Sequence, residues 1–290
     1  LSADERAKAK DNYDTKIATS GFPNKPDGSP MAYRAADPRI GFFTAKFTEF
    51  EPGSGSAVLS RDVITRFRLE KKDPTAAISE AVKPIQYWVD SGAPEDIRQA
   101  LLEGARWWNQ AFEAAGYKNA FQVKLLPDSA DPMDVRYNVI NWVHRSTRGW
   151  SYGASVVDPR TGEIIKGHVT LGSLRVRQDY LIAQGLLAPF ENGLPANDKM
   201  LKMALERLRQ LAAHEVGHTL GLMHNYASSA NNRASVMDYP HPQAILNSAG
   251  EIELGNAYDN KIGDWDKVAI TWGYSDFPGG TDEASALNKI

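Results

Sequence analysis

The stretch His214–His224, with the sequence HEVGHTLGLMH, constrains this chain more than any other feature. An α-helix turns once in about 3.6 residues, so His214 and His218 project from one face and can bind the same metal ion. Gly221 can end that helix, because glycine readily adopts the left-handed backbone conformation. The chain can then turn back and bring in His224 as a third ligand. Three imidazoles leave one tetrahedral position open, which is typical of a catalytic rather than a structural zinc site.

The pattern His-Glu-x-x-His-x-x-Gly-x-x-His is the long zinc signature of the metzincin clan of metallopeptidases, and the chain resembles that clan. Ser235–Tyr239, with the sequence SVMDY, resembles the Met-turn of the clan, and its Met237 lies thirteen residues after the last histidine. A tyrosine two residues after the methionine is similar to the astacin and serralysin pattern. From Asp37 onward the chain also resembles the catalytic region of large, multi-domain bacterial zinc-dependent peptidases.

The resemblance implies a zinc-dependent endopeptidase with one catalytic Zn²⁺ held by the three histidines. Glu215 is then the general base, which takes a proton from water and delivers it to the leaving amine. Tyr239 is implied to stabilise the oxyanion of the transition state, and in astacin-like enzymes it also ligates the resting metal. Met237 is implied to form a soft packing floor beneath the metal.

The sequence predicts an α+β fold that is metzincin-like, with a twisted mixed β-sheet, a backing helix and a zinc-binding active-site helix. Below these we expect a mostly helical or irregular lower subdomain. The predicted regions are a largely irregular N-terminal extension (1–60), an upper catalytic subdomain (61–224) and a lower subdomain with the Met-turn and a C-terminal helix (225–290). Apolar residues at helical spacing place the backing helix at Pro94–Ala115 and start the zinc helix near Asp198.

A hairpin signal, Gly153–Val157 followed by a turn and Glu163–Leu171, predicts two strands. In the metzincins that the chain resembles, the first of these strands is the sheet edge above the cleft and binds extended peptide by strand addition. The same resemblance implies that the segment after the Met-turn walls the pocket for the residue following the scissile bond. The substrate-binding candidates are Gly153, Ala154, Ser155, Val156, Pro240 and His241. A plain hairpin without a binding role fits the same spacing.

The N-terminal segment allows two interpretations. Pro23–Pro38 is rich in proline, glycine and small polar residues, which predicts a loop. A cluster of aromatic residues then precedes a flexible Pro-Gly-Ser-Gly-Ser spacer at 52–56. The members of this cluster are Phe42, Phe43, Phe47 and Phe50. The segment either packs these phenylalanines on the catalytic domain or occupies the cleft as a latency segment.

Composition excludes several classes of protein. A hydrophobic content of 42% and a charged content of 24% are typical of a globular domain, and the net charge of -3 gives no hint of nucleic acid as a partner. No apolar run approaches the ~20 residues of a membrane span. Cysteine is absent, which excludes disulfides, cysteine nucleophiles and a cysteine-switch latency device.

These observations lead to expectations about partners, cofactors and location. We expect protein or peptide substrates, no nucleic-acid partner, no membrane span and a monomer. The chain begins at Leu1 without a visible signal peptide, so we expect an excised piece of a longer, extracytoplasmic protein that is secreted, periplasmic or on the cell surface. Asp128–Asp134 and Asp259–Asp266 have acidic spacing that could hold Ca²⁺, but neither contains a full loop signature, which favours turn and helix-cap roles.

Two other classes of function fit parts of the pattern. The chain could be a catalytically idle metal-binding scaffold, although the intact Glu215 argues against this. It could instead be a zinc hydrolase of non-peptide amides or esters. An edge strand suited to an extended backbone favours peptides.

Overall fold

The computed structural model describes residues 30–50, 58–147, 149–187, 190–191, 194–195 and 197–290. Within these ranges the strands are β1 (Thr44–Phe50), β2 (Val58–Ile64), β3 (Ser79–Glu80), β4 (Ile85–Val89), β5 (Tyr117–Lys118), β6 (Phe121–Leu125), β7 (Asn138–Val143), β8 (Tyr152–Val157), β9 (Ile164–Gly172), β10 (Phe190–Glu191), β11 (Leu194–Pro195), β12 (Ile245–Leu246) and β13 (Ile252–Glu253). The helices are α1 (Glu95–Arg106), α2 (Trp108–Ala114), α3 (Leu174–Leu187), α4 (Asn197–Thr219), α5 (Asp264–Tyr274) and α6 (Glu283–Leu287).

A five-stranded mixed sheet, in the order β6-β4-β7-β9-β8, forms the upper part of the molecule. The first four of these strands are parallel, whereas β8 runs antiparallel to β9 in a register that pairs Tyr152 with Thr170. In the described part of the chain β8 has a strand neighbour on one side only. The predicted edge strand is therefore at an edge, and its role in binding substrate stays a prediction.

The backing helix predicted over Pro94–Ala115 is two helices, α1 and α2, which meet at Trp107. There the Trp107 N–H bonds to the Gly104 carbonyl, three residues back, so the hydrogen-bond pattern tightens and divides the helix. α1 packs along α4 and against β4 and β6. The fully buried Trp108 donates from Nε1 to the Ala213 carbonyl at 2.8 Å. These contacts hold the zinc helix rigidly against the sheet layer.

The α+β prediction is confirmed, and the zinc helix α4 starts within one residue of the predicted position. The prediction that residues 1–60 are largely irregular stays a prediction, but the described part of that region contains a strand, β1, that we did not predict. Here β1 pairs antiparallel with β2 along seven residues, from Thr44 opposite Ile64 to Phe50 opposite Val58. Residues 1–29 and the spacer at 51–57 lie outside the described residues.

The segment at residues 41–43 is paired with the loop that carries the third histidine. The Phe43 N–H donates to the Gly221 carbonyl at 2.7 Å, and the Met223 N–H donates to the Gly41 carbonyl at 2.8 Å. Phe42 is buried, with its ring centroid 6.2 Å from that of Trp272. Residues 41–43 therefore fit the first of the two interpretations of the N-terminal segment, in which it packs on the catalytic region.

The region after residue 224 has the mixture of short helices and irregular chain that we predicted. It contains a 3₁₀ turn at Tyr226–Ala230, the Met-turn, the β12–β13 hairpin, α5 and α6. The sequence predicts the last helix over Asp264–Trp272 with a stop at Gly273, whereas α5 runs two residues further, to Tyr274. Gly273 lies inside the helix, where the Phe42 ring packs against it. Of the helices described, none combines the length and hydropathy needed to cross a membrane. The division into three regions stays a prediction.

Candidate metal centre

Three histidines converge at the C-terminal end of α4. His214 and His218 project from the same face of the helix, and their ring centroids are 4.8 Å apart. Gly221 has a φ of 101°, so the helix ends in the left-handed conformation that the sequence predicts for this glycine. The returning chain brings the His224 ring to 4.6 Å from that of His218. One nitrogen from each ring lies within 4.8 Å of the others.

Each of the three rings is oriented by one contact at its Nδ1 atom. These contacts join His214 to the Val236 carbonyl at 2.8 Å, His218 to the Leu222 carbonyl at 2.8 Å, and His224 to the Tyr226 phenol at 3.1 Å. A carbonyl only accepts, so the first two rings donate from Nδ1–H and keep Nε2 unprotonated. The Nε2 atoms are therefore left as the metal-binding atoms.

The geometry of this donor set fits zinc. His218 Nε2 lies 3.1 Å from His224 Nε2. Two imidazole nitrogens that each bind one zinc ion at about 2.0–2.1 Å are separated by about 3.3 Å at a tetrahedral angle. Burial lowers the pKa of all three rings, that of His214 to about 3 with a further contribution from His218. Neutral imidazole is the form that binds a metal.

Glu215 adjoins the first histidine and is buried, with 5% of its surface exposed. Burial raises the pKa of its carboxyl to about 7, against the opposing effect of Arg207. Glu215 and Tyr239 line one cavity of about 200 Å³ beside the histidines. A carboxyl in this position can hold or release a proton near neutral pH.

Tyr239 is 57% exposed and lies directly against the ligand rings. Its ring centroid is 4.6 Å from that of His224 and 5.2 Å from that of His214. Tyr226 stacks on the His224 ring, with centroids 5.2 Å apart. The structure therefore brings Tyr239 beside the metal-binding nitrogens, and it adds Tyr226, which we did not predict.

The Met-turn is fixed by α5. Met237 is buried under α4, where a side chain on Gly217 would collide with its Sδ atom. The buried Asp266 of α5 accepts three hydrogen bonds, two from the Met-turn and one from the residue that precedes its own helix. They come from Ser235 Oγ at 2.6 Å, the Val236 N–H at 2.8 Å and the Gly263 N–H at 2.9 Å. Because the Val236 carbonyl orients His214, Asp266 indirectly positions a ligand.

The substrate-binding candidates on β8 divide between two faces. A Cβ atom on Gly153 would lie 2.1 Å from the Glu215 carbonyl, and Ser155 Oγ faces the Thr219 carbonyl at 3.4 Å. Ala154 and Val156 are exposed. The missing side chain of Gly153 therefore allows close packing on α4, and the binding of substrate by these four residues stays a prediction.

The cavity beside Glu215 is lined without the two substrate-binding candidates that follow the Met-turn, whose role stays a prediction. Pro240 is half-buried and His241 is exposed after the Met-turn, and neither lines this cavity. Its lining residues are Gly149, Trp150, Ser151, Arg175, Gln178, Arg207, Leu211, Glu215 and Tyr239. One signal could have found part of this wall, since residues 207, 211 and 215 recur every four positions along one helix face.

The acidic runs considered for calcium take turn and cap roles. Asp131 and Asp134 accept hydrogen bonds from nearby backbone N–H groups, and Asp259 pairs with Arg233. Across the described ranges, the histidine cluster is the one group of His, Cys, Asp or Glu side chains spaced to hold a metal. Calcium therefore has no support in the described residues.

Comparison with known proteins gives two family matches. Residues 196–290 match a family model described as Met-zincin, and this range contains the three histidines, the Met-turn and α5. Residues 8–72 match a model described as a domain of unknown function. No curated protein matches the chain.

Proposed function

We propose that the chain is an endopeptidase with Glu215 as its general base, because residues 196–290 match a family model described as Met-zincin and that description implies a zinc metallopeptidase. One observation carries this proposal. Three histidines, each with one ring nitrogen within 4.8 Å of the others, converge beside a buried carboxyl and next to a strand that lies at the edge of the described sheet. A metal-binding scaffold alone needs neither the carboxyl nor the edge.

The ligand residues His214, His218 and His224 would hold the metal. When bound, zinc acidifies a water molecule and polarises the peptide carbonyl. Glu215, in the cavity beside the histidines, accepts the proton of the attacking water and passes it to the amine of the leaving group. The Tyr239 phenol lies against His224 and can donate a hydrogen bond to the oxyanion of the substrate.

The open edge of β8 supports cleavage of internal peptide bonds. β8 spans six residues, and Tyr152 and Val156 near its two ends are 46% and 53% exposed. An extended peptide can pair with this edge over several residues on both sides of the scissile bond. Main-chain pairing of this kind favours a peptide over a small ester or amide.

The test compares release of peptides from denatured casein by the zinc-loaded chain and two variants. Glu215→Gln is expected to keep its zinc and its folded state and to lose about 10²–10⁴ in kcat, which is the usual contribution of general acid–base catalysis. Glu113→Gln changes an exposed carboxylate on α2 and serves as the control. His224→Ala is expected to lose zinc and activity together.

Zinc content is measured by metal analysis after dialysis and folding by circular dichroism. If Glu215→Gln keeps turnover within a few-fold of the parent, Glu215 is not the base. If His224→Ala keeps a full zinc equivalent, the third ligand is wrongly assigned.

A further inference from the structure

The cavity beside Glu215 contains two arginines that the proposed mechanism does not use. Arg207 lies on α4 two turns before Glu215, on the same face as Leu211. Arg175 comes from the first turn of α3, which directly follows β9. Trp150 lies just before β8 and lines the mouth of the cavity, 74% exposed. The cavity thus extends from the residues just before β8, the edge strand, to the proposed base Glu215.

Both guanidinium groups are held in place by neighbouring side chains. Asp179, which is fully buried one turn along α3, accepts from Arg175 Nε at 3.2 Å. Arg207 is 8% exposed, contacts Gln210 Oε1 and lies 5.4 Å from the centre of the Tyr258 ring. Within the described ranges, Arg207 has no carboxylate at salt-bridge distance. A buried guanidinium in this condition is stabilised by an anion.

The charges that line the cavity are unequal. Two guanidinium groups and one carboxyl, that of Glu215, line the cavity. Glu215 transfers protons in the proposed mechanism, so it is not a permanent counter-ion for the arginines. Asp179 pairs with Arg175 but does not line the cavity. Burial raises the pKa of its carboxyl, so Asp179 neutralises the charge of the two arginines less effectively. Arginine binds carboxylates with two parallel hydrogen bonds, so a carboxylate is the ligand group that this arrangement fits best.

The position of the cavity indicates which substrate residue enters it. Antiparallel pairing is more stable per residue than parallel pairing, so an added peptide runs antiparallel to β8. The part of the peptide after the scissile bond then lies near the start of β8, which is the side of Trp150. The side chain that follows the scissile bond is therefore the one nearest to Arg175 and Arg207.

We propose that Arg175 and Arg207 form a pocket for a carboxylate on the residue that follows the scissile bond. This inference rests on the proposed peptidase function and names its substrate class. The carboxylate comes from one of two sources, an aspartate or glutamate side chain within a longer peptide or the C-terminal carboxylate of the substrate. Trp150 and Leu211 supply apolar walls for the methylene groups of the entering residue.

The experiment uses the zinc-loaded chain and a set of acetylated peptides that differ only after the scissile bond. One arm places Asp, Asn, Glu, Gln, Leu or Lys at this position in peptides with an amidated C-terminus. The other arm compares free-acid and amidated peptides that end at this position with alanine. In at least one arm, we expect the peptide with the carboxylate to have a kcat/KM about 10- to 100-fold higher than its uncharged counterpart. This factor corresponds to the free energy of one or two charge-assisted hydrogen bonds.

Substitution of Arg175 tests whether the arginines cause the preference. Arg175→Gln is expected to lower the ratio of kcat/KM between the Asp and Asn peptides, or between the free-acid and amidated peptides, to about three-fold or less. Arg175→Glu is expected to give the highest kcat/KM with the Lys peptide. Arg177→Gln alters an exposed arginine of the same helix and is expected to keep the ratio of the parent. Zinc content and thermal melting confirm that each variant is folded. Arg207→Lys keeps the charge but not the fork geometry and is expected to narrow the ratio as well.

Binding separates this inference from the proposed function. The Glu215→Gln chain is titrated with the Asp and Asn peptides and with the free-acid and amidated peptides, followed by fluorescence anisotropy. Selective binding of one carboxylate form that Arg175→Gln removes supports the pocket, even if the parent cleaves no peptide and the peptidase proposal fails. Cleavage without a carboxylate preference, or a preference that survives Arg175→Gln, overturns the pocket and leaves the peptidase standing.

Discussion

Two tyrosines contact His224 and are expected to act differently. Tyr226 reaches the Nδ1 atom of the histidine, whereas Tyr239 lies edge-on to His224, is tilted against His214 and lines the cavity with Glu215. A partner at Nδ1 orients a ligand and raises its basicity. A phenol in the cavity can interact with the reacting carbonyl instead.

We therefore expect Tyr239→Phe to keep its zinc and its KM and to lose roughly 10- to 10³-fold in kcat, as for one oxyanion donor. Tyr226→Phe is expected to weaken zinc binding about 10-fold, with a smaller effect on kcat at saturating zinc. The measurements are steady-state kinetics and zinc competition with a chromogenic chelator. A Tyr239→Phe enzyme as active as the parent would mean that Tyr239 only lines the cavity.

At the scale of elements, the contact between β8 and α4 depends on Gly153. A Cβ atom at this position would meet the Glu215 carbonyl at 2.1 Å and His218 Cβ at 3.1 Å. Gly153→Ala must push the edge strand away from the zinc helix, which we expect to lower the free energy of unfolding by about 1–3 kcal/mol. Ala154→Ser, on the exposed side of the same strand, is the control. Equal urea midpoints for the two variants would contradict this packing.

Asp266 links α5 to the Met-turn, and its buried carboxyl makes the stability of this link depend on pH. Burial raises its pKa from 3.8 to about 6. The folded state therefore binds the proton of Asp266 more tightly than the unfolded state. The resulting contribution of Asp266 to the free energy of unfolding is complete below about pH 4 and is lost as pH rises through about 6. A shift of this size corresponds to about 3 kcal/mol.

We expect Asp266→Asn to destabilise the chain most at about pH 4 and below, because the contribution of the parent carboxyl is complete there and the amide cannot accept all three hydrogen bonds. The loss of stability relative to the parent is expected to shrink as pH rises from about 4 to about 6. Urea unfolding at several pH values measures the difference, with the exposed Asp264→Asn as the control. A deficit that grows with pH would show that the ionised carboxylate is the favoured form in the fold.

At the scale of the whole molecule, the segment before β1 connects distant parts of the chain. Phe42 packs against Trp272 of α5, and its neighbours Gly41 and Phe43 bond to the loop between Gly221 and Met223. The N-terminal segment therefore supports both α5 and the loop that leads to His224. A segment that merely covers the cleft could be removed without loss of stability.

We expect Phe42→Ala to cost about 3–5 kcal/mol in the free energy of unfolding, as for other buried phenylalanines, and to weaken zinc binding. Phe43→Ala removes a ring that is 42% exposed and lies 5.8 Å from the His218 ring, so its cost in stability is expected to be smaller. Urea unfolding and zinc competition report both effects. Similar unfolding midpoints for parent and Phe42→Ala would show that the segment is not part of the folded unit.

The sequence by itself determined which three histidines come together, because the rules that bring them together act over short distances along the chain. The period of an α-helix fixes the common face of His214 and His218, and the freedom of glycine fixes the turn at Gly221 that returns His224. The α+β class and the start of α4 followed from apolar periodicity in the same way. A divided backing helix and the β1–β2 hairpin were missed, because packing and pairing override local patterns there.

Only the tertiary structure decided what surrounds the ligands. The Val236 carbonyl that orients His214 is 22 positions away, and Asp266 is a further 30 positions beyond it. Arg175 and Arg207 share a cavity because β9, α3 and α4 pack together, not because their spacing in sequence has a meaning. Contacts between elements depend on how a sheet and its helices pack, and local periodicity carries no information about which distant side chains then meet.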